Sequence, residues 1–202
     1  MMIRLPRTPL LLLLGLAALS GCVAPTGPVE VTRFHAPEAQ AAARGLIRIE
    51  AAPGQDAQSI EFRSYAGAIA RELTRLGYTE AIAGSAAPSQ VAVLAIDRRA
   101  FQPQRTRSPV SVGAGGSTGS YGSGVGLGLA IDLSGPPPEQ VVTEMRVAIR
   151  DAVSGRAVWE GRASFTVRTA SPLAQTSLGA AKMAEALFKD FPGQSGETIL
   201  VK

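Results

Sequence analysis

The apolar positions of this chain change period from one stretch to the next, and each period predicts an element. Phe62, Tyr65, Ile69, Leu73 and Leu76 recur three or four residues apart, so they line one stripe of a helix, with Arg63, Arg71, Glu72 and Arg75 mostly off it. Gly77 supplies the stop, because glycine takes a left-handed conformation after a last turn without a Cβ clash. Farther on the period becomes two. Val141, Thr143, Met145, Val147 and Ile149 alternate with Glu144, Arg146 and Arg150. After Ser154-Gly155, Ala157, Trp159, Gly161, Ala163, Phe165 and Val167 point inward, while Val158, Glu160, Arg162, Ser164 and Thr166 face out. This predicts an antiparallel hairpin with one wet face.

Three more strands are predicted upstream. Val31 to His35 reads as a first strand, Leu46 to Ile49 as a second closed by Pro53-Gly54, and Val91 to Ile96, apolar on both faces, as a central one. Strand, helix and strand from Leu46 to Ile96 form a crossover if the two strands share a sheet. The Ala/Gln-rich stretch from Pro37 to Arg44 has no clear period. Near the end, Ser171-Pro172 is expected to start a second helix as cap and first residue. Leu178, Ala181, Leu187 and Phe191 are its expected buried stripe, Met183 lies at the stripe's edge, and Phe191-Pro192-Gly193 ends it. Glu197 to Val201 is expected to add a short strand.

The most unusual stretch runs from Ser108 to Gly135. Val125, Leu127, Leu129, Ile131 and Leu133 alternate with Gly126, Gly128, Ala130 and Asp132, and Val110, Val112 and Ala114 alternate before them. A turn over Gly116 to Gly122 makes this a Gly-rich hairpin, aliphatic on one face and nearly bare on the other. Bare faces allow close backbone approach. Two uses stay open: a contact surface that pairs with a partner's edge, or internal packing under a helix. The stiff Pro136-Pro137-Pro138 connects it to the next hairpin. Together these elements predict an α+β fold in two layers, with two amphipathic helices packed on one face of a largely antiparallel sheet.

The chain opens differently. Arg4 and Arg7 precede the apolar run Leu10-Leu11-Leu12-Leu13-Leu14-Gly15-Leu16-Ala17-Ala18, and Leu19-Ser20-Gly21-Cys22 closes it. A positive start, an apolar middle and small residues at the end form a secretory signal peptide. A membrane-spanning helix needs about 20 apolar residues, and the run from Pro9 to Leu19 is shorter. Leu19-Ser20-Gly21-Cys22 resembles the lipobox of bacterial lipoproteins. The resemblance implies that Cys22 receives a diacylglyceryl group, that cleavage falls before it, and that its new amine takes a further fatty chain such as palmitate. Val23 stands where an Asp would favour inner-membrane retention, so the resemblance implies the outer membrane. The expected organisation is a signal peptide over 1–21, a lipidated tether over 22–30, and a single α+β periplasmic domain over 31–202.

Composition narrows the chemistry. The 20 basic and 16 acidic side chains give a net charge of +4, and losing Arg4 and Arg7 with the leader lowers it to +2. That is too weak to indicate nucleic acid. Cys22 is the sole cysteine and His35 the sole histidine. No disulfide is available, and no typical zinc site can be assembled. No cofactor is expected, since G-x-G-x-x-G between strand and helix is absent and no G-x-x-x-x-G-K occurs.

The order of pieces resembles the bacterial lipoproteins grouped as domain of unknown function family 4136. The resemblance rests on the lipobox Cys22, on Tyr65 in a helix ending Leu76-Gly77-Tyr78, and on the Gly-rich middle. It extends to the hairpin from Asp151 to Gly161 and to a last helix running into Phe191-Pro192-Gly193. It implies no catalytic residue. The residues that invite chemistry each have a plainer role. Gly115-Gly116-Ser117-Thr118-Gly119 fits G-x-S-x-G, but a nucleophile elbow needs a helix after it and a downstream His. Asp97 sits beside Arg98 and Arg99, Asp151 beside a turn, and His35 near the tether, while Trp159 and Phe165 fit a core better than a groove. The expected role is therefore a non-catalytic binding or scaffolding lipoprotein of the cell envelope. Its expected partners are the membrane, through Cys22, and an unidentified envelope protein. One alternative is a small accessory lipoprotein of an outer-membrane assembly or transport complex, by fold-level analogy. The other is an envelope hydrolase, which requires Asp97, Asp151, Glu144 or Glu160 to converge in one pocket.

Overall fold

The computed structural model describes residues 27–37, 44–82, 84–104, 110–119, 122–131 and 135–202, with the segments 110–119 and 122–131 described by their backbone. The elements in chain order are β1 (Val29–His35), β2 (Leu46–Ala51), α1 (Ile60–Arg75), β3 (Thr79–Glu80), β4 (Gln90–Phe101), β5 (Val110–Gly119) and β6 (Gly122–Ile131). They continue with β7 (Gln140–Asp151), β8 (Ala157–Arg168), a 3-10 turn (Pro172–Ala174), α2 (Thr176–Phe188) and β9 (Thr198–Val201). Seven strands form one sheet in the order β3-β2-β4-β7-β8-β1-β9. β2 runs parallel to both β3 and β4, which is the expected crossover through α1. All other pairings in this sheet are antiparallel. The sheet is thus mixed, and largely rather than wholly antiparallel.

The period-two pattern decides which face of the sheet is dry. Val141, Thr143, Met145, Val147 and Ile149 of β7 are buried, as are Trp159, Gly161, Ala163, Phe165 and Val167 of β8. Their neighbours Arg146, Arg150, Arg162, Thr166 and Arg168 are exposed. Both helices cover the dry face. Ser59 caps α1 by accepting from the Phe62 N–H at 3.0 Å, satisfying one orphan donor. Phe62, Tyr65, Ala68, Ile69 and Leu73 form its buried stripe, and Gly77 (φ +93°) ends it as expected.

The second helix departs from expectation in three ways. Ser171 caps the 3-10 turn through Leu173 N–H, and the α-helix proper starts at Thr176. It ends at Phe188, three residues before Phe191. Its buried face is Gly179, Ala180, Met183, Ala184, Ala186, Leu187 and Phe188, whereas Leu178 is 45% exposed. The physical reason is close helix contact: small residues on α2 let it approach α1 and the sheet, so bulk was a poor guide to its inner face. Gly161 belongs to the same packing, since a side chain there would strike Trp159 and Leu187.

Two boundaries also move. β1 begins at Val29, inside the segment read as tether. β5 continues to Gly119 and β6 starts at Gly122, so most of the expected turn from Gly116 to Gly122 is strand. These two strands pair antiparallel with each other and with no strand of the large sheet. Residues 1–21 and Cys22 lie outside the described residues.

Candidate functional site

The corner where β1, β8 and the end of α2 meet holds the sole histidine. Arg33 on β1 is 4% exposed, and its guanidinium donates to the Leu187 carbonyl at 2.9 Å and the Ala186 carbonyl at 2.8 Å. These carbonyls belong to the last turn of α2, where a cation also meets the negative end of the helix dipole. Burial pushes the Arg33 pKa down, and the charges of Asp190 and Glu197 oppose that shift. Gly193 (φ +81°) packs on the Arg33 stem, where a Cβ would come within 2.7 Å. His35 follows two positions later, with Nδ1 3.1 Å from the Ala36 carbonyl and Nε2 3.2 Å from the Gly193 carbonyl. Each ring nitrogen thus faces a backbone carbonyl, and the neutral ring, with a single N–H, can donate to only one of them. Beside it lies an open cleft of about 340 Å³ lined by Phe34, His35, Val158, Trp159, Glu160 and Ser195, among others.

Trp159 does not present its ring to that cleft as a ligand platform. Its side chain is 1% exposed, stacks on Phe188 at 5.2 Å, meets Phe191 at 5.2 Å, and donates from Nε1 to the Pro192 carbonyl at 3.0 Å. Phe165 is likewise in the core. Sequence reasoning missed Arg33. The available signal was a charged residue at an inward position of a period-two strand, between Val31 and the close of the strand.

Of the four carboxylates, two are brought together and two lie elsewhere on the fold. Asp97 and Glu144 are direct partners across β4 and β7. Arg99 joins them, with Nε 3.2 Å from Asp97 and a terminal nitrogen 3.0 Å from Glu144, and Arg146 meets Glu144 at 3.1 Å. All are solvent-facing, so the chain of ion pairs is weak in energy. Glu160 stands opposite Ala148 and Phe34, on other rungs of the sheet. Asp151 closes the β7–β8 turn, accepting from Ser154 N–H at 2.7 Å, Ser154 Oγ at 2.8 Å and Val153 N–H at 3.2 Å. The Ser154 bonds hold its carboxyl below the usual carboxylate value. A second cleft, of about 330 Å³, gathers Asp97, Glu61, Asp56 and Arg98 at the start of α1. Arg98 is already engaged there by Glu61 at 3.6 Å, by the Thr176 hydroxyl at the start of α2 and by the Ala174 carbonyl of the 3-10 turn. Ser117 sits within β5 opposite Gly124, with strand on both sides, so the strand-to-helix turn of a nucleophile elbow is not formed. Among the described residues no group of His, Cys, Asp and Glu could hold a metal ion.

Two buried tyrosines add polar groups to the core. Tyr65 is pushed above its ordinary pKa by burial, against a hydrogen bond with Thr143 that lowers it, and Tyr78 is raised by burial against the charge of Arg44. Tyr65 thereby ties α1 to β7.

The remaining candidate is a place on the fold. β4 ends at Phe101, paired with Gln140 where β7 begins, and Gln140 pairs with Arg168 where β8 ends. β1 enters at this same end: a Cβ on Gly27 would lie 3.2 Å from the Thr166 carbonyl. Gly27 and the β4 and β7 ends that flank β5 and β6 therefore lie at the same end of the sheet. Among the described residues no helix is long and apolar enough to cross a membrane.

An α+β domain of two helices on one face of a mixed sheet is the class this geometry defines. Residues 35–193 match the domain of unknown function DUF4136, and the chain belongs to that family. An uncharacterized protein of Zymomonas mobilis, ZMO1243, is 26% identical, with 88% of this chain and 81% of that protein covered. Among solved structures, a PDZ domain protein from Parabacteroides distasonis gives a TM-score of 0.44 at 12% identity, covering 87% of this chain but only 39% of that one. A PelC dodecamer from Paraburkholderia phytofirmans gives 0.40 at 17% identity, covering 77% of this chain and 94% of that one.

Proposed function

We propose that this chain is a lipid-anchored cell-envelope protein that binds or scaffolds on the periplasmic face of the outer membrane, without catalysis. The observation that carries the reading is the leader ending Leu19-Ser20-Gly21-Cys22, followed within a few residues by the first strand of the domain at Val29. Fatty chains on Cys22 hold the domain close to a bilayer. Two or three such chains, at about 0.8 kcal/mol per buried methylene, make release negligible. The ion-paired Asp97 and Glu144, the separate Glu160 and the turn-bound Asp151 support a role without bond-breaking chemistry. The segment of β5 and β6 serves as a Gly-rich hairpin for contact. Envelope fractionation on a density gradient tests the reading. The wild-type chain is expected in outer-membrane fractions, and a Cys22→Ser chain is expected to lose its acyl label. An unchanged distribution and unchanged label in the variant would overturn it.

A further inference from the structure

We infer that β5 and β6 are a second membrane contact, which lays one apolar face on a lipid bilayer beside the tether. The register carries the argument. Val110 pairs with Ile131, Val112 with Leu129, Ala114 with Leu127 and Gly116 with Val125, and directly opposed residues share a face. The intervening pairs are Ser111 with Ala130, Gly113 with Gly128, Gly115 with Gly126 and Ser117 with Gly124. One face is therefore assigned every Val, Leu and Ile of the two strands, and the other only Gly, Ser and Ala. From Ser108 to Ile131 the sequence holds no charged residue. A two-stranded sheet is marginal in water on its own, and this one pairs with no strand of the large sheet. A surface that buries the aliphatic face supplies the missing stabilisation.

Placement and charge identify that surface as lipid. In sequence, arms of eight residues each, 102–109 and 132–139, separate β4 from β5 and β6 from β7. The nine steps across each arm reach at most about 32 Å, and the five steps from Cys22 to Gly27 at most about 18 Å. Both departures start at one end of the sheet, so a bilayer within reach of Cys22 is within reach of the paired strands. Arg105 and Arg107 lie in the first arm, just before the uncharged stretch. Basic residues flanking an apolar face favour anionic headgroups. A lone pair of strands lies in the interface and does not span, because its outer edges would leave backbone groups unpaired in hydrocarbon.

This inference takes the position of the domain from the reading of Cys22 as an anchor, but its affinity for lipid is independent of that reading. The test uses residues 22–202 with Cys22→Ser, which retain every described strand and helix and carry no fatty chain. Flotation with vesicles of phosphatidylethanolamine and phosphatidylglycerol is expected to carry this protein upward. Leu127→Asp with Leu129→Asp is expected to lower the bound fraction about tenfold or more, since binding scales with buried apolar area. Gly126→Ser with Gly128→Ser, on the other face, is expected to leave it within about twofold. Melting curves serve as the fold control, because every core residue among those described lies outside 102–139. Failure of the parent protein to float overturns the inference, as does equal binding by the Asp variant. A lipid-independent oligomer that the Asp variant dissolves, without vesicle binding, assigns the face to a second copy and also overturns it. Because no acyl chain is present, each of these results is separate from whether Cys22 is lipidated in cells.

Discussion

Replacing Arg33 with Met removes the buried cation that closes the end of α2 while keeping most of its apolar stem. Two donations are lost, to Leu187 at 2.9 Å and to Ala186 at 2.8 Å. Hydrogen bonds from a charged group contribute about 1.5–3 kcal/mol each, and an unpaired buried carbonyl costs about 1–3 kcal/mol. The helix dipole adds up to about 2 kcal/mol at a partly buried C-terminus. Against this stands the desolvation that pushes the Arg33 pKa down. Removing the guanidinium relieves that cost, so the contributions do not add in full. The net expectation is a loss of about 2–4 kcal/mol, most of it from carbonyls left without a donor. For a domain of this size each kcal/mol moves Tm by about 2–4 °C, so a fall of roughly 4–16 °C is expected. Urea unfolding followed by tryptophan fluorescence reports it directly, since Trp159 is the sole tryptophan and stacks on Phe188 at the end of the same helix. Arg33→Lys is expected to recover part of the loss, because an ammonium can reach one carbonyl but not bridge two in a fixed fork. A change below about 0.5 kcal/mol in Arg33→Met, typical of a surface site, would refute the capping role.

The other predictions concern α2 and the β7–β8 turn. Met183→Ala is expected to cost about 2–5 kcal/mol as a core cavity, whereas Leu178→Ser stays within about 0.5 kcal/mol; the reverse order in thermal melts would restore the stripe read from sequence. Asp151→Asn is expected to remove an acid-sensitive contribution to stability. Its folded pKa lies below the ordinary value, so the contribution is present above the unfolded pKa and disappears as pH falls through the folded one. Chemical unfolding between neutral and strongly acidic pH checks this, and parallel pH profiles for the two proteins would contradict it.

What could be read from the sequence follows from how each residue is used. α1 was legible because its inner stripe consists of bulky residues on a helical period, capped by Ser59 and stopped by Gly77. β7 and β8 were legible because one face is wet and the other dry, which gives a clean alternation. α2 was misread because its inner face is largely Ala and Gly. Apolar bulk then pointed to Leu178, which is 45% exposed. Two-residue β3 carries no periodicity at all, and its pairing with β2 depends on the crossover bringing it alongside. Arg33 was invisible for a different reason. Its value depends on carbonyls more than 150 positions away, at the end of a helix whose boundary was itself misplaced. The carboxylates illustrate the converse. Register brought Asp97 and Glu144 together, yet it supplied Arg99 between them.

The central claim concerns a single sulfur at the start of the mature chain, and mass spectrometry of the N-terminal fragment tests it most directly. Protein extracted from membranes with detergent and cut within the first strands is predicted to yield a fragment beginning at Cys22 and heavier by a diacylglyceryl group and a further acyl chain. A fragment bearing a free Cys22 thiol, or one that begins upstream of that residue, would contradict the account.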